Sequence, residues 1–209
     1  MREAREEITT SEKGSAKKKS YWQNENRLVE RFEQTLHNWN KEEEIQKTLQ
    51  KRKYGPAKLE ELKGVLQNLK DTTEQHIQGI RDRMILTSRV KTQRAACKAS
   101  FKDILSFTKM AFEDNKQAWY QLGLMEKAPL AINPWIKYHE AFVDNLLKNP
   151  DYLRILRESH DIGEDEIMAA RTALKELEIT EKDQENMKAR IQDYSKARKD
   201  ALKQLKHAD

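Results

Sequence analysis

The chain has 209 residues, of which 36% are charged, and its formal net charge is +5. It contains six glycines and four prolines, about half the usual share of these two helix breakers. Its single cysteine, Cys97, excludes an intramolecular disulfide framework and an all-cysteine zinc site. Many charges with few breakers are typical of long helices, and the apolar periodicity described below argues against global disorder.

Residues 1–19 are polar and predict a flexible arm. Within it Lys17–Lys19 form a basic run, for which a solvated tail is favoured over contact with a polyanion. The first residues lack the apolar core of a signal peptide, and the longest apolar runs elsewhere are about four residues. We therefore expect a cytoplasmic protein without a membrane span.

A first helix is predicted to begin at the N-cap residue Ser20 and to end at the turn around Gly55 and Pro56. Its apolar positions recur at helical spacing and include Trp22, Val29, Phe32, Leu36 and Trp39. Because the connection at Gly55 and Pro56 is short, the next helix should lie antiparallel to this one. We expect the first helix to pack its apolar face against the second.

The second predicted helix runs from Ala57 to about Gly123 or Lys127. Steps of three and four residues give it a coiled-coil-like seam, comprising Leu59, Leu62, Leu66, Leu69, Thr73, His76, Ile80, Val90, Arg94, Cys97, Phe101, Ile104, Thr108 and Ala111. A helix of about 65 residues would measure about 100 Å at 1.5 Å per residue. This length predicts an elongated protein.

The C-terminal part of the chain contains shorter predicted helices. Residues 128–132 form an apolar loop that should lie against other residues. Asn133 and Asn149, each followed by proline, read as N-caps, and a last helix begins near Glu164. Thr180 resembles a second N-cap, so that helix is expected to kink or restart there.

These patterns predict an all-α fold, an elongated helical bundle of long antiparallel, coiled-coil-like helices. The expected organisation is a flexible arm at 1–19, a long helical hairpin at 20–127, and shorter helices at 128–209 packed on that hairpin. The last two segments are expected to form one domain. Periodicity in every segment after the arm, without strand-like alternation, carries this prediction.

No pattern in the sequence indicates catalysis, and we expect a non-enzyme with no catalytic, cofactor-binding or metal-ligating residues. No two of the five histidines lie three or four residues apart, Glu-x-x-His is absent, and the glycines are scattered singly. Three polar or reactive residues fall on the second helix's apolar seam or beside small residues: His76, Arg94 and Cys97. For these three a packed, structural role is favoured over chemistry.

A basic stripe on the second helix is the strongest candidate binding feature. It comprises Lys91, Arg94, Lys98, Lys102, Lys109 and Lys116, which fall within about 80° of one another at 100° per residue. If it binds a polyanion, Lys91, Lys98, Lys102 and Lys109 are the expected contact residues. The favoured alternative is a solvated stripe, or one that faces acids on a neighbouring helix such as Glu176, Glu181 and Glu185.

Two functions from different classes remain open. The first is a non-catalytic helical scaffold or protein-interaction module, with a protein partner or self-association and no small-molecule substrate. The alternative is a polyanion-binding protein that uses the basic stripe on nucleic acid or an anionic membrane surface. The polyanion function requires the stripe to be exposed in the folded chain, so its exposure bears on that function.

Overall fold

The structure is a computed structural model that describes residues 26–39, 41–51 and 55–207. The described residues form an all-α helical bundle without a strand, as predicted. Their helices are α1 (26–39), α2 (Glu43–Lys51), α3 (Pro56–Ala111), α4 (Lys116–Gln121), α5 (Ile132–Leu147), α6 (Pro150–His160) and α7 (Glu164–His207). The predicted arm at 1–19, the cap at Ser20 and Trp22 lie outside the described residues.

The chain divides into two compact units, and α3 and α7 contribute to both. Unit 1 combines Met1–His76 with Asp193–Asp209. Its buried cluster joins three helices and comprises Phe32, Leu36, Trp39, Leu59, Leu62, Leu66, Leu69, Ala201, Leu202 and Leu205. The predicted packing of Phe32, Leu36 and Trp39 against the second helix is therefore confirmed. An ion pair between Lys70 and Glu33 at 2.5 Å joins α3 to α1 at the edge of this cluster.

Unit 2 is Ile77–Gln192 and contains the larger core. Side chains from α3, α4, α5, α6 and α7 meet there, and those with at most 1% exposure include Phe101, Ala118, Leu122, Phe142, Val143, Leu146, Leu156, Ile167, Leu174 and Leu177. Arg171 of α7 pairs with Asp144 of α5 at 2.7 Å. Helices α3 and α7 run antiparallel within this unit. Thr87 contacts Gln184, whereas Ile104, further along α3, lines the same cleft as Ala170, which is earlier on α7.

Each of the two long helices predicted before Lys127 contains a break in the structure. The first predicted helix is interrupted at Glu42, between α1 and α2. The second ends at Ala111 and not near Gly123, because the Asn115 side chain accepts a hydrogen bond from the Ala118 N–H at 3.0 Å and starts α4. The Trp119 indole N–H then donates to the Phe112 carbonyl at 2.8 Å, which stabilises the intervening turn.

Several smaller predictions can also be compared with the structure. Helix α6 begins after Asn149 as predicted, and α7 begins at Glu164. Helix α5 begins two residues before Pro134, with Ala131 at the N-cap position in place of Asn133. The predicted restart at Thr180 is wrong, because its hydroxyl donates to the Glu176 carbonyl inside a continuous helix.

The apolar seam of α3 does not continue as predicted through Ile80, which is 41% exposed. Gly79 is buried in place of Ile80, and the predicted seam residues Val90 and Cys97 are buried further along the helix. A seven-residue repeat drifts by about 20° per heptad on a straight helix with 3.6 residues per turn. A seam extrapolated from Leu59 and Leu66 therefore leaves the buried side before it reaches Ile80.

Candidate polyanion interface on α3

Four lysines of the basic stripe form a row on the outer side of α3 in unit 2. We call Lys91, Lys98, Lys102 and Lys109 the lysine row, and all four side chains are exposed. At 100° per residue they lie within about 40° of one another, and at 1.5 Å per residue they span about 27 Å. The row is thus an exposed line of positive charge on a single helix.

A neighbouring face of the same helical segment, about 80° to 140° from the row, is held in the core. Cys97, Phe101, Ile104 and Thr108 are all buried, as predicted. The Phe101 ring lies edge-on to Trp135 at 6.1 Å and to His139 at 4.5 Å between centroids. This packing fixes the rotation of α3 about its own axis and so fixes the direction of the lysine row.

The lysines of the row are not held in ion pairs within the described residues. None of the ion pairs found there involves a lysine of the row. Between Ile77 and Ala111 the only acids are Asp82 and Asp103, which point about 180° and 120° away from the row. The positive field of the row is therefore not cancelled on α3.

The alternative in which α7 acids face the stripe is not what the structure shows. Glu176 acts electrostatically on the Cys97 thiol, which points about 120° away from the row. Glu181 is buried, and Glu185 forms an ion pair with Lys188 on its own helix. No ion pair in the described part of the chain joins these acids to the row.

The structure shortens the basic stripe at its C-terminal end. Lys116 lies at the start of α4, so it does not continue the line along α3. Lys109 is the last lysine on α3, and its ammonium lies 5.9 Å from the centroid of the Trp119 ring. This cation–π contact holds Lys109 beside α4.

Arg94, the stripe's arginine, contacts the loop at residues 128–132, whose predicted packing is confirmed only in part. Its guanidinium donates to the Leu130 carbonyl at 2.5 Å. Residues 128–132 were predicted to lie against other residues. Ile132 does pack against the unit 2 core, whereas Leu130 is 92% exposed. The Tyr138 hydroxyl also ties this loop down by donating to the Glu126 carbonyl at 3.1 Å. A lone leucine before an N-cap motif gives no sign of this exposure in the sequence.

Two buried titratable side chains of unit 2, Cys97 and His139, are packed in its core. Burial raises the pKa of Cys97, so the neutral thiol packs as a small apolar side chain. Burial lowers the pKa of His139, whose Nδ1 lies 2.8 Å from the Trp135 carbonyl. The His139 ring also lies 4.0 Å from the Trp135 ring. Neither group is placed to act on a bound molecule at the lysine row.

We expect acidification to destabilise the fold through His139. Its pKa is lowered in the folded state, so below about pH 6.5 the unfolded chain takes up a proton that the folded chain resists. Stability should be constant above that pH and fall below it, by up to about 1.4 kcal/mol per pH unit. Urea unfolding of the wild type and His139→Gln between pH 5.5 and 7.5 measures this slope.

His139→Gln should flatten most of that slope. A residual slope of the same sign is expected from His76, whose pKa is lowered by burial and by the nearby Arg198. Identical slopes for the two proteins would show that His139 is not held neutral by the core.

A cleft of about 590 Å³ lies elsewhere in unit 2, between α3, the α6–α7 turn and α7. It is lined by Asp103, Asp161 and Glu166, together with Phe107 and His160, whose rings lie 5.0 Å apart. Glu166 already accepts a hydrogen bond from the Gly163 N–H at 3.2 Å, at the start of α7. The cleft therefore has the opposite charge from the lysine row and is not part of the same surface.

Within residues 26–39, 41–51 and 55–207, no three His, Cys, Asp or Glu side chains are grouped to hold a metal ion. Among those same residues no helix combines the length and apolarity that crossing a bilayer requires. Comparison of the chain with protein-family models, curated proteins and solved structures finds no match.

Proposed function

We propose that this protein is a non-catalytic helical protein that binds a polyanionic partner through the lysine row. The observation that supports it is that four lysines on one helical face are exposed and form no ion pair with acids in the described residues. A line of ammonium groups about 27 Å long can contact several phosphates or anionic headgroups at once. We also propose that it acts in the cytoplasm.

The test is binding of the full chain to two polyanions at low ionic strength, duplex DNA and vesicles that contain phosphatidylserine. Binding to at least one of them, weakened by salt, is expected because lysine contacts release counterions. Changing the four lysines of the row to glutamine should weaken it further. Undetectable binding of the wild-type chain to both polyanions would refute the proposal.

A protein-interaction scaffold is the second candidate, and a different observation favours it. Four apolar side chains of α3 are exposed ahead of the lysine row: Ile77, Ile80, Met84 and Ile85. Met84 is 69% and Ile85 is 66% exposed. Adjacent exposed apolar side chains on one helix are typical of surfaces that bind another protein.

This second function predicts self-association through α3. Sedimentation velocity of the wild type at increasing concentration should show a dimer, and Met84→Glu combined with Ile85→Glu should shift it to monomer because buried carboxylates are costly. Met125→Glu, at another exposed apolar residue, should leave the dimer intact. A wild type that stays monomeric at every concentration would argue against self-association.

A further inference from the structure

A loop near the lysine row carries an exposed apolar side chain, that of Leu130. Arg94 lies one helical turn from both Lys91 and Lys98, and its guanidinium binds the Leu130 carbonyl. The backbone of Leu130 is therefore held beside the row while its side chain is 92% exposed. The Tyr138–Glu126 hydrogen bond fixes the same loop to α5.

We propose that the row and Leu130 together dock on an anionic lipid bilayer, an inference that rests on the polyanion-binding function proposed above. An anionic bilayer offers headgroups to the lysines and an apolar interior to the leucine. Nucleic acid offers phosphates to the lysines but no comparable environment for an exposed leucine. Single-strand binders also use aromatic stacking platforms, and none of the α3 residues within the sector of the row is aromatic.

The charges near the lysine row and Leu130 are compatible with docking of both on an anionic bilayer. The acids of α3 in unit 2 point away from the row. The loop contributes one acid, Glu126, and one base, Lys127, between Leu124 and Ile132. The surface around Leu130 is thus neutral in sum, and the row supplies the net positive charge that an anionic bilayer attracts.

Insertion can be measured directly with an environment-sensitive dye at position 130. Cys97 is 2% exposed, so a thiol-reactive nitrobenzoxadiazole dye should label an introduced Leu130→Cys selectively. A matched probe at Ile179→Cys uses another exposed apolar side chain, on α7. With vesicles that contain phosphatidylserine, emission at position 130 should shift to the blue and strengthen, whereas emission at position 179 should not change.

Binding measurements with unlabelled protein complete the test. Leu130→Ser should lower partitioning into phosphatidylserine vesicles about tenfold, because it removes a buried apolar side chain. It should not alter binding to duplex DNA, and plain phosphatidylcholine vesicles should bind neither protein.

Each outcome separates this inference from the function on which it rests. Binding to DNA without binding to anionic vesicles would overturn the bilayer proposal and leave polyanion binding in place. Vesicle binding without a blue shift at position 130 would show electrostatic adsorption alone and would also overturn docking through Leu130. Absence of binding to every polyanion would overturn both.

Discussion

Replacing Phe101 with alanine is expected to lower the free energy of unfolding by about 3–5 kcal/mol. The ring is 1% exposed and lies against Trp135 and His139. Alanine would lose this apolar burial and leave a cavity between α3 and α5 that the surrounding helices can only partly fill. Urea unfolding followed by circular dichroism measures the loss.

Phe107 provides the matched control for this substitution. It lies six residues further along α3 in the same unit, but it is 37% exposed and contacts His160. Phe107→Ala should therefore lower the free energy of unfolding clearly less than Phe101→Ala does. Equal losses for the two variants would contradict the assignment of Phe101 to the core that orients the lysine row.

Changing Lys91, Lys98, Lys102 and Lys109 together to glutamine is expected to weaken polyanion binding about a hundredfold or more. Each lysine close to an anionic surface contributes about 1 kcal/mol, and about 1.4 kcal/mol corresponds to a tenfold change in affinity. The melting temperature should not change, because all four side chains are exposed. Lys109 should contribute least, since it already contacts Trp119.

A second quadruple variant distinguishes the effect of the lysine row on binding from the effect of net charge. Lys175, Lys199, Lys203 and Lys206 are exposed lysines of α7, and changing them to glutamine alters the net charge by the same amount. This variant should bind nearly as well as the wild type. If both quadruple variants lose affinity equally, binding depends on overall charge and the row has no special role.

Periodicity in the sequence predicts the all-α fold and much of the core. Phe32, Leu36 and Trp39 recur at helical spacing and lie in the unit 1 core, and Asn149 and Pro150 begin α6 as expected. These predictions succeeded because apolar spacing and proline preferences act locally. The predicted burial of Ile80 is wrong because a small rotation of the seam accumulates over several heptads.

The candidate interface was predictable only in part. Helical spacing placed the four lysines on one face, but their exposure depends on where α5 and α7 pack against α3. The break at Asn115 removed Lys116 from the stripe through a single side-chain cap. The contact between Arg94 and Leu130 spans 36 positions of sequence, and no local pattern encodes a contact of that kind.

Mapping the bound polyanion on the chain tests the central claim most directly. Backbone amide shifts of the isotope-labelled full chain can be followed by NMR during titration with inorganic polyphosphate at low ionic strength. We predict that the largest shifts fall between residues 91 and 109 and in the adjoining loop at Leu130. Shifts that concentrate on other lysines, such as those near the end of α7, would contradict the assignment of the polyanion interface to the lysine row.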